Sequence, residues 1–369
     1  MKLGKLDKLE LKGYKSIKDI KVDFNNLNIL IGANGVGKSN FIGFFNFMRQ
    51  LIYKELEITI AKMGGANKVL YFGKKTTNKL EIRLVFSPNA YQTVLIPNEQ
   101  DELIFEKEIG YFIGDKIGYF GGTKKHNLNN IGNKESKLPN KPSTSSILGH
   151  IVKYINDWKV YHFHDTSPNS PMKQPSRVDD YYSLSTDGHN IASYLYYIKE
   201  NHPIIYKKIV KTIQRVAPFF SDFILEPDKL NPEMIKLRWK HKGSDLYFDA
   251  NDLSDGTIRF ICLTTLLLQP DIPTIILIDE PELGLHPFAL NILASMFKIV
   301  SKKTQIIAST QSATFCDFFN ANDILIVNSK NDATTINRLN EDAYKEWLKE
   351  YTIGELWQKN IIGGVPSYD

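Results

Sequence analysis

The chain has 369 residues, of which 42% are hydrophobic and 24% charged. These proportions exclude global disorder, and the length fits one large lobed domain or two joined lobes rather than one ordinary domain. A net charge of +5 permits contact with nucleic acid without requiring it.

The opening stretch MKLGKLDKLELKGYKSI is basic but has no continuous apolar core, so no secretory signal is expected there. The longest apolar runs, 260–268 and 274–278, fall far short of a bilayer span. Cys262 and Cys316 each lie in an apolar stretch and read as buried thiols of a reducing compartment. A soluble, cytoplasmic protein with no membrane partner is the expectation.

Alternating apolar and charged residues predict strands over 8–16 and 20–24. An apolar strand over 27–31 leads into a glycine-rich turn at 32–37 and a helix over 39–53. Further strands are expected at 79–86 and 102–108. Residues 110–146 are rich in Gly, Lys, Asn, Pro and Ser and read as a long basic loop. A helix over 147–157 and a short strand over 159–163 come next. Helices over 190–200 and 203–217 are expected to form a helical lobe, followed by strands at 224–226, 235–240 and 246–248. The last third alternates helix and strand: helix 256–268, buried strand 274–278, helix 287–301, and strands 305–309 and 324–328. That rhythm predicts an α/β fold with a mixed sheet and a mostly parallel core.

The segment Gly32-Ala33-Asn34-Gly35-Val36-Gly37-Lys38-Ser39 matches the phosphate-loop pattern between an apolar strand and a helix, the context that pattern needs. Its glycines let backbone N–H groups wrap phosphates, Lys38 brings positive charge to the β/γ-phosphates, and Ser39 offers a hydroxyl to Mg²⁺. The helix N-terminus adds partial positive charge. Downstream, Thr274-Ile275-Ile276-Leu277-Ile278-Asp279-Glu280-Pro281 is a buried strand ending in two acids. Asp279 suits the Mg²⁺ shell, and Glu280 suits polarisation of an attacking water. Between them, Leu253-Ser254-Asp255-Gly256-Thr257 opens a helix. Ser254 is an ordinary N-cap by itself, but it stands one helix and one strand upstream of Asp279.

This order of phosphate loop, L-S-x-G signature and I-D-E-P resembles the ABC-type ATPase heads shared by SMC proteins, RecF repair proteins and OLD-family ATPases. The run continuing to Asn40, the stretch from Glu280 to Pro287, and the opening Leu11-Lys12-Gly13-Tyr14-Lys15-Ser16-Ile17 carry the same likeness. Val160-Tyr161-His162-Phe163-His164-Asp165-Thr166-Ser167 resembles a segment of stand-alone bacterial ATPases of this group. The resemblance implies an ABC-type P-loop head with a helical lobe, binding ATP and Mg²⁺ through Asn34, Gly35, Gly37, Lys38, Ser39 and Asn40, with Ser39 and Asp279 on the metal. Ser254 and Gly256 of a second subunit would close over the γ-phosphate, with Glu280 as catalytic base. The family's switch histidine is replaced by Gln311, which can hydrogen-bond but cannot take up a proton at neutral pH. Slow hydrolysis follows. Gln92 is a weak candidate for the family's Q-loop.

The implied organisation is a nucleotide-binding lobe over 1–109, a basic insertion over 110–146, and a helical lobe over 147–230. An ATPase lobe with signature and acids over 231–340 and a C-terminal helix and tail over 341–369 complete it. OLD-family relatives carry a Toprim nuclease after the ATPase, and no such segment is legible here. The resemblance therefore implies a homodimer, or higher homo-oligomer, controlling a separately encoded Toprim-type nuclease or toxin in anti-phage defence. A RecF-like DNA-repair clamp is the alternative. Nucleic acid is then a candidate partner, through the lysines of the first strands or of residues 110–146. His162, His164, Asp165, His189 and His202 form a further cluster, but strand alternation sets Tyr161 and Phe163 opposite His162 and His164, and ligand spacing for a metal is lacking.

Overall fold

A computed structural model describes residues 4–113, 124–129, 131–138 and 146–365. The chain divides into two compact units. The first comprises Met1–Val160, Thr274–Leu277 and Thr304–Asp369, and the second Tyr161–Pro273 and Ile278–Lys303.

The first unit carries two six-stranded sheets. One is antiparallel throughout, in the order Ile17–Asp23, Lys8–Tyr14, Leu80–Phe86, Asn89–Pro97, Leu103–Phe112 and Lys124–Asn129. The other runs Ala333–Arg338, Ile324–Lys330, Leu27–Ile31, Gln305–Thr310, Ile275–Asp279 and Trp158–Tyr161. Leu27–Ile31 lies parallel to both of its neighbours, while Ala333–Arg338 closes an antiparallel hairpin at one edge. The expected mixed α/β fold with a parallel core is therefore present.

Leu27–Ile31 is buried along its whole length, as the missing polar alternation implies. Its one polar side chain, Asn28, is fully satisfied. Its Nδ2 donates to the carbonyls of Asn25 and Ile306, and its Oδ1 accepts from Asn25 N and Arg338 Nη2. The helix Lys38–Ile52 follows the turn, with Phe41, Phe44, Phe45, Met48, Leu51 and Ile52 on its buried side. That spacing is the apolar stripe of an amphipathic helix. Phe44 meets Tyr14 edge-on at 5.6 Å, and Phe45 meets Trp158 at 5.0 Å. Each fully buried ring contributes about 1.5–3 kcal/mol, so this helix is pinned firmly behind the turn it follows.

Residues 110–146, expected as a loop, are partly sheet. Leu103–Phe112 reaches past Gly110, and Lys124–Asn129 pairs with it, setting Gly110 opposite His126. Backbone pairing supplies the order that the polar side chains do not. Lys2, Lys116 and Lys141 lie outside the described residues. Three of the other lysines considered for nucleic acid are paired: Lys8 with Glu10, Lys12 with Asp19, and Lys134 with both Glu57 and Glu102.

In the second unit, the helices Ile191–Asn201 and Pro203–Val216 precede a three-stranded antiparallel sheet, Phe220–Ile224, Arg238–His241 and Tyr247–Asp249. The strand expected at 224–226 lies earlier, at Phe220–Ile224, with Phe220 and Phe223 buried. The helices Asp255–Leu268 and Pro287–Val300 complete this unit. No helix among the described residues is long and apolar enough to cross a membrane.

Candidate nucleotide-binding site

In the first unit the phosphate-loop turn is shaped by what surrounds it. Gly37 has φ 107°, and a Cβ there would stand 2.2 Å from Thr334 Oγ1 and 2.7 Å from Ser16 Oγ. Only glycine fits both the conformation and the space. Thr334 Oγ1 is 2.8 Å from Ser16 Oγ and 2.8 Å from the Val36 carbonyl oxygen, and Asn40 Nδ2 donates to Ser16 Oγ at 2.9 Å. The turn is thus braced from behind by residues at both ends of the chain.

Gly37 precedes the helix without any side-chain cap, and no acidic residue occupies its first turn. A helix start with neither a capping side chain nor a first-turn acid suits an anion. Lys38 is 5% exposed, and its Nζ donates to the carbonyls of Gly32 at 2.6 Å and Ala33 at 2.8 Å. Asn34, Gly35, Gly37, Lys38, Ser39, Asn40 and Gln311 together line a cleft of about 220 Å³. Gln311 arrives from the end of Gln305–Thr310, the parallel neighbour of the strand that feeds the turn. Gln92 lies elsewhere in the antiparallel sheet, where its side-chain oxygen accepts from Tyr111 Oη at 2.7 Å.

The second unit holds the remaining candidates. Ser254 is exposed and caps the helix Asp255–Leu268, its Oγ accepting from Thr257 N at 3.3 Å. A Cβ on Gly256 would stand 2.3 Å from the Gly284 carbonyl oxygen, so this position too accepts only glycine. Asp279 and Glu280 are half-buried at the end of their strand. Glu280 has φ 44°, a left-handed conformation costing a non-glycine residue about 1–3 kcal/mol. The turn offsets some of this through the bond from Leu283 N to the Glu280 carbonyl.

Arg259, which sequence reading passed over, and His164, which it weighed only as a metal ligand, hold this turn. Arg259 Nε donates to Phe163 O at 2.8 Å and Nη2 to His164 O at 3.0 Å, while Nη1 donates to Leu283 O. His164 Nε2 donates in turn to the backbone oxygen of Asp279 at 2.7 Å. Tyr161 and Phe163 are buried and His162 and His164 exposed, as alternation predicts. His189 lies between Asp187 and Asp180, and Tyr197 Oη stands 3.3 Å from His202 Nε2. No group of three or more His, Cys, Asp or Glu able to hold a metal occurs among the described residues.

A family model described as "AAA domain, putative AbiEii toxin, Type IV TA system" matches residues 27–317. The chain belongs to this AAA-domain family. No curated protein matches it. Its fold is that of an SMC-type ATPase head. The crystal structure of the SmcHead bound to the C-winged helix domain of ScpA superposes with a TM-score of 0.55 at 16% identity, covering 92% of this chain and 99% of that one. A second is the Smc head domain with an extended coiled coil, bound to the C-terminal domain of ScpA from Pyrococcus furiosus. It gives 0.52 at 15% identity, with 94% and 98% covered. At such identities the likeness concerns the fold alone. Family and fold make this AAA-domain protein a P-loop ATPase of the AAA/SMC-head type.

Proposed function

We propose that the protein is a slow, Mg²⁺-dependent ATPase that closes head-to-tail into a dimer around ATP and thereby controls a separate effector. The observation that carries this reading is the cleft where Lys38, Ser39 and the start of their helix meet Gln311. A polyphosphate there takes over Lys38 Nζ from the Gly32 and Ala33 carbonyls and gains charge-assisted bonds. Asn34, Gly35 and Gly37 supply backbone donors, and Asn40 stays tied to Ser16 at the edge of the site.

Mg²⁺ fits the donor types present. The Ser39 hydroxyl and the Asp279 carboxylate are hard oxygen ligands, and phosphate and water oxygens complete such a shell. The ion would neutralise charge on the β- and γ-phosphates. Glu280 takes the proton of the attacking water, and Gln311 orients that water without accepting its proton. Ser254 and Gly256, exposed or partly exposed at the start of their helix, serve the γ-phosphate of a partner subunit. The family description names a toxin and a Type IV TA system, which supports an effector role in anti-phage defence, the effector being a nuclease or toxin encoded separately.

The deciding experiment is Glu280→Gln, assayed for ATP hydrolysis and for mass in solution with and without MgATP. The amide keeps the shape and removes the base. Turnover should fall by about 100-fold or more, and ATP should now hold a dimer. Hydrolysis at the parent rate would remove Glu280 from this role. Affinity capture from the host on the same material should bring down a nuclease or toxin. A lone protein whose ATPase rises with DNA would instead indicate a RecF-like clamp.

A further inference from the structure

The helix Pro203–Val216 carries the cations Lys207, Lys208, Lys211 and Arg215 and no acid. All are exposed, on the side opposite the buried Tyr206, Ile209, Val210 and Ile213. None of them joins an ion pair among the described residues. Lys207 and Lys211 stand one turn apart, as do Lys211 and Arg215, where like charges destabilise a helix. A helix that places its cations so, with no acid to relieve them, gives up stability for a surface that an outside anion completes.

A second basic row runs beside it. Over 236–242 the chain alternates Lys236, Arg238, Lys240 and Lys242 with Leu237, Trp239 and His241. Leu237 and Trp239 are buried, while Lys236, Lys240 and Lys242 are exposed. Arg238 pairs with Asp249 at 3.4 Å, whereas the three lysines join no ion pair among the described residues. Lys240 Nζ lies 5.3 Å from the ring centre of Tyr247, its partner across the sheet, and that ring is 64% exposed. The two rows adjoin. Tyr206, next to Lys207, donates its hydroxyl to Asp222 Oδ1 at 2.7 Å, and Asp222 is the register partner of Lys240 on its other side.

Charge of one sign spread along a helix and a strand, rather than gathered in a pocket, matches a polymer of phosphates and not a single anion. A bilayer is a poor match, since the apolar side of the helix is already buried in the protein and cannot enter lipid. An open aromatic ring among the cations suits what a single strand offers, an unstacked base face. We propose that this face of the second unit, from Lys207–Arg215 to Lys236–Lys242, binds single-stranded nucleic acid, with phosphates on its cations and a base on Tyr247. The face lies within one unit. It needs neither the dimer nor ATP hydrolysis, and it stands if the reading above fails.

The test titrates the full-length protein, without nucleotide, into fluorescein-labelled oligothymidylate, oligouridylate and a DNA duplex of equal length, over a range of salt. A single strand should bind more tightly than the duplex, with affinity falling steeply as salt rises. Lys211→Gln/Lys240→Gln takes one cation from each row. It should weaken binding about tenfold and make the salt slope shallower by about 1.4, two phosphate contacts at about 0.7 each, at an unchanged melting temperature. Lys8→Gln/Lys12→Gln lowers the net charge equally and should bind as the parent does. Tyr247→Ala should cost about fivefold or more on the single strands and leave the duplex unaffected. A parent that binds no oligonucleotide overturns the proposal, as does Lys211→Gln/Lys240→Gln with parental affinity. Equal losses in the two double variants overturn it too, because net charge alone would then explain binding. A preference for duplex that Tyr247→Ala leaves untouched overturns the single-strand assignment. Capture of phosphatidylserine vesicles, with no oligonucleotide bound, would assign the face to a membrane instead.

Discussion

Lys38 Nζ donates to two carbonyls of its own loop, Gly32 and Ala33, while more than nine-tenths shielded from water. Replacing it with alanine removes a cation from the phosphates and also frees those carbonyls from their donor. Lys38→Ala should weaken MgATP binding by about 10–100-fold, the worth of a charged hydrogen bond of about 1.5–3 kcal/mol, read by titration with a fluorescent nucleotide. A different residue carries a pH-dependent contribution to stability. His189 Nδ1 is 2.8 Å from Asp187 Oδ1, and Nε2 is 2.9 Å from Asp180 Oδ2. Partial burial pulls its pKa down, but the bonds and charges of Asp187 and Asp180 outweigh that and raise it above the ordinary 6.5. The charged form is therefore favoured by folding, and its stabilisation is full below pH 6.5 and fades as pH rises through the elevated folded value. His189→Gln should flatten the fall in stability between pH 6.5 and that higher value, measured by urea unfolding across the range. A slope unchanged by the substitution would assign the pH response to another group.

At the scale of elements, the hairpin Ile324–Lys330 and Ala333–Arg338 does more than close a sheet edge. Its Thr334 contacts Ser16 and the Val36 carbonyl and so sets the back wall of the phosphate turn. Thr334→Val keeps the shape and loses the hydroxyl. About 1–2 kcal/mol of stability should go with it, with nucleotide affinity falling alongside; unchanged affinity in chemical denaturation and titration would show that the turn holds its shape unaided. None of this bracing was legible in the sequence, because Ser16 and Thr334 stand 318 residues apart. What was legible is local. The apolar run 27–31, the glycine turn and the i, i+3, i+4 spacing of Phe41, Phe44 and Phe45 announce strand, turn and helix from adjacent residues. Asn89–Pro97 escaped notice because it follows Ser87-Pro88 like a turn and is buried on both faces over much of its length, leaving no alternation to read. Lys124–Asn129 escaped because an exposed strand of Lys, His and Asn owes its order to the backbone of its neighbour. Arg259 escaped for the same long-range reason: its carbonyl partners at 163 and 164 are far away in sequence.

For the molecule as a whole, the two thiols expected to be buried are buried, and no disulfide joins them. Burial pushes the Cys262 thiol up to about 12, so almost no thiolate exists near neutrality. A thiol reagent should therefore label neither cysteine in the native protein and both after denaturation. Labelling at Cys262 without denaturant would report opening of the second unit. The larger consequence comes from how the parallel sheet is threaded. Leu27–Ile31, which feeds the phosphate turn, has as its two neighbours Gln305–Thr310 and Ile324–Lys330. On a ribosome these partners emerge almost 300 residues later, about 15–60 s at 5–20 residues per second. Until then the turn has neither flanking strand nor the Thr334 wall. The nascent chain thus cannot complete an ATP site early, and nucleotide binding becomes a late signal that the polypeptide has been synthesised through Thr334.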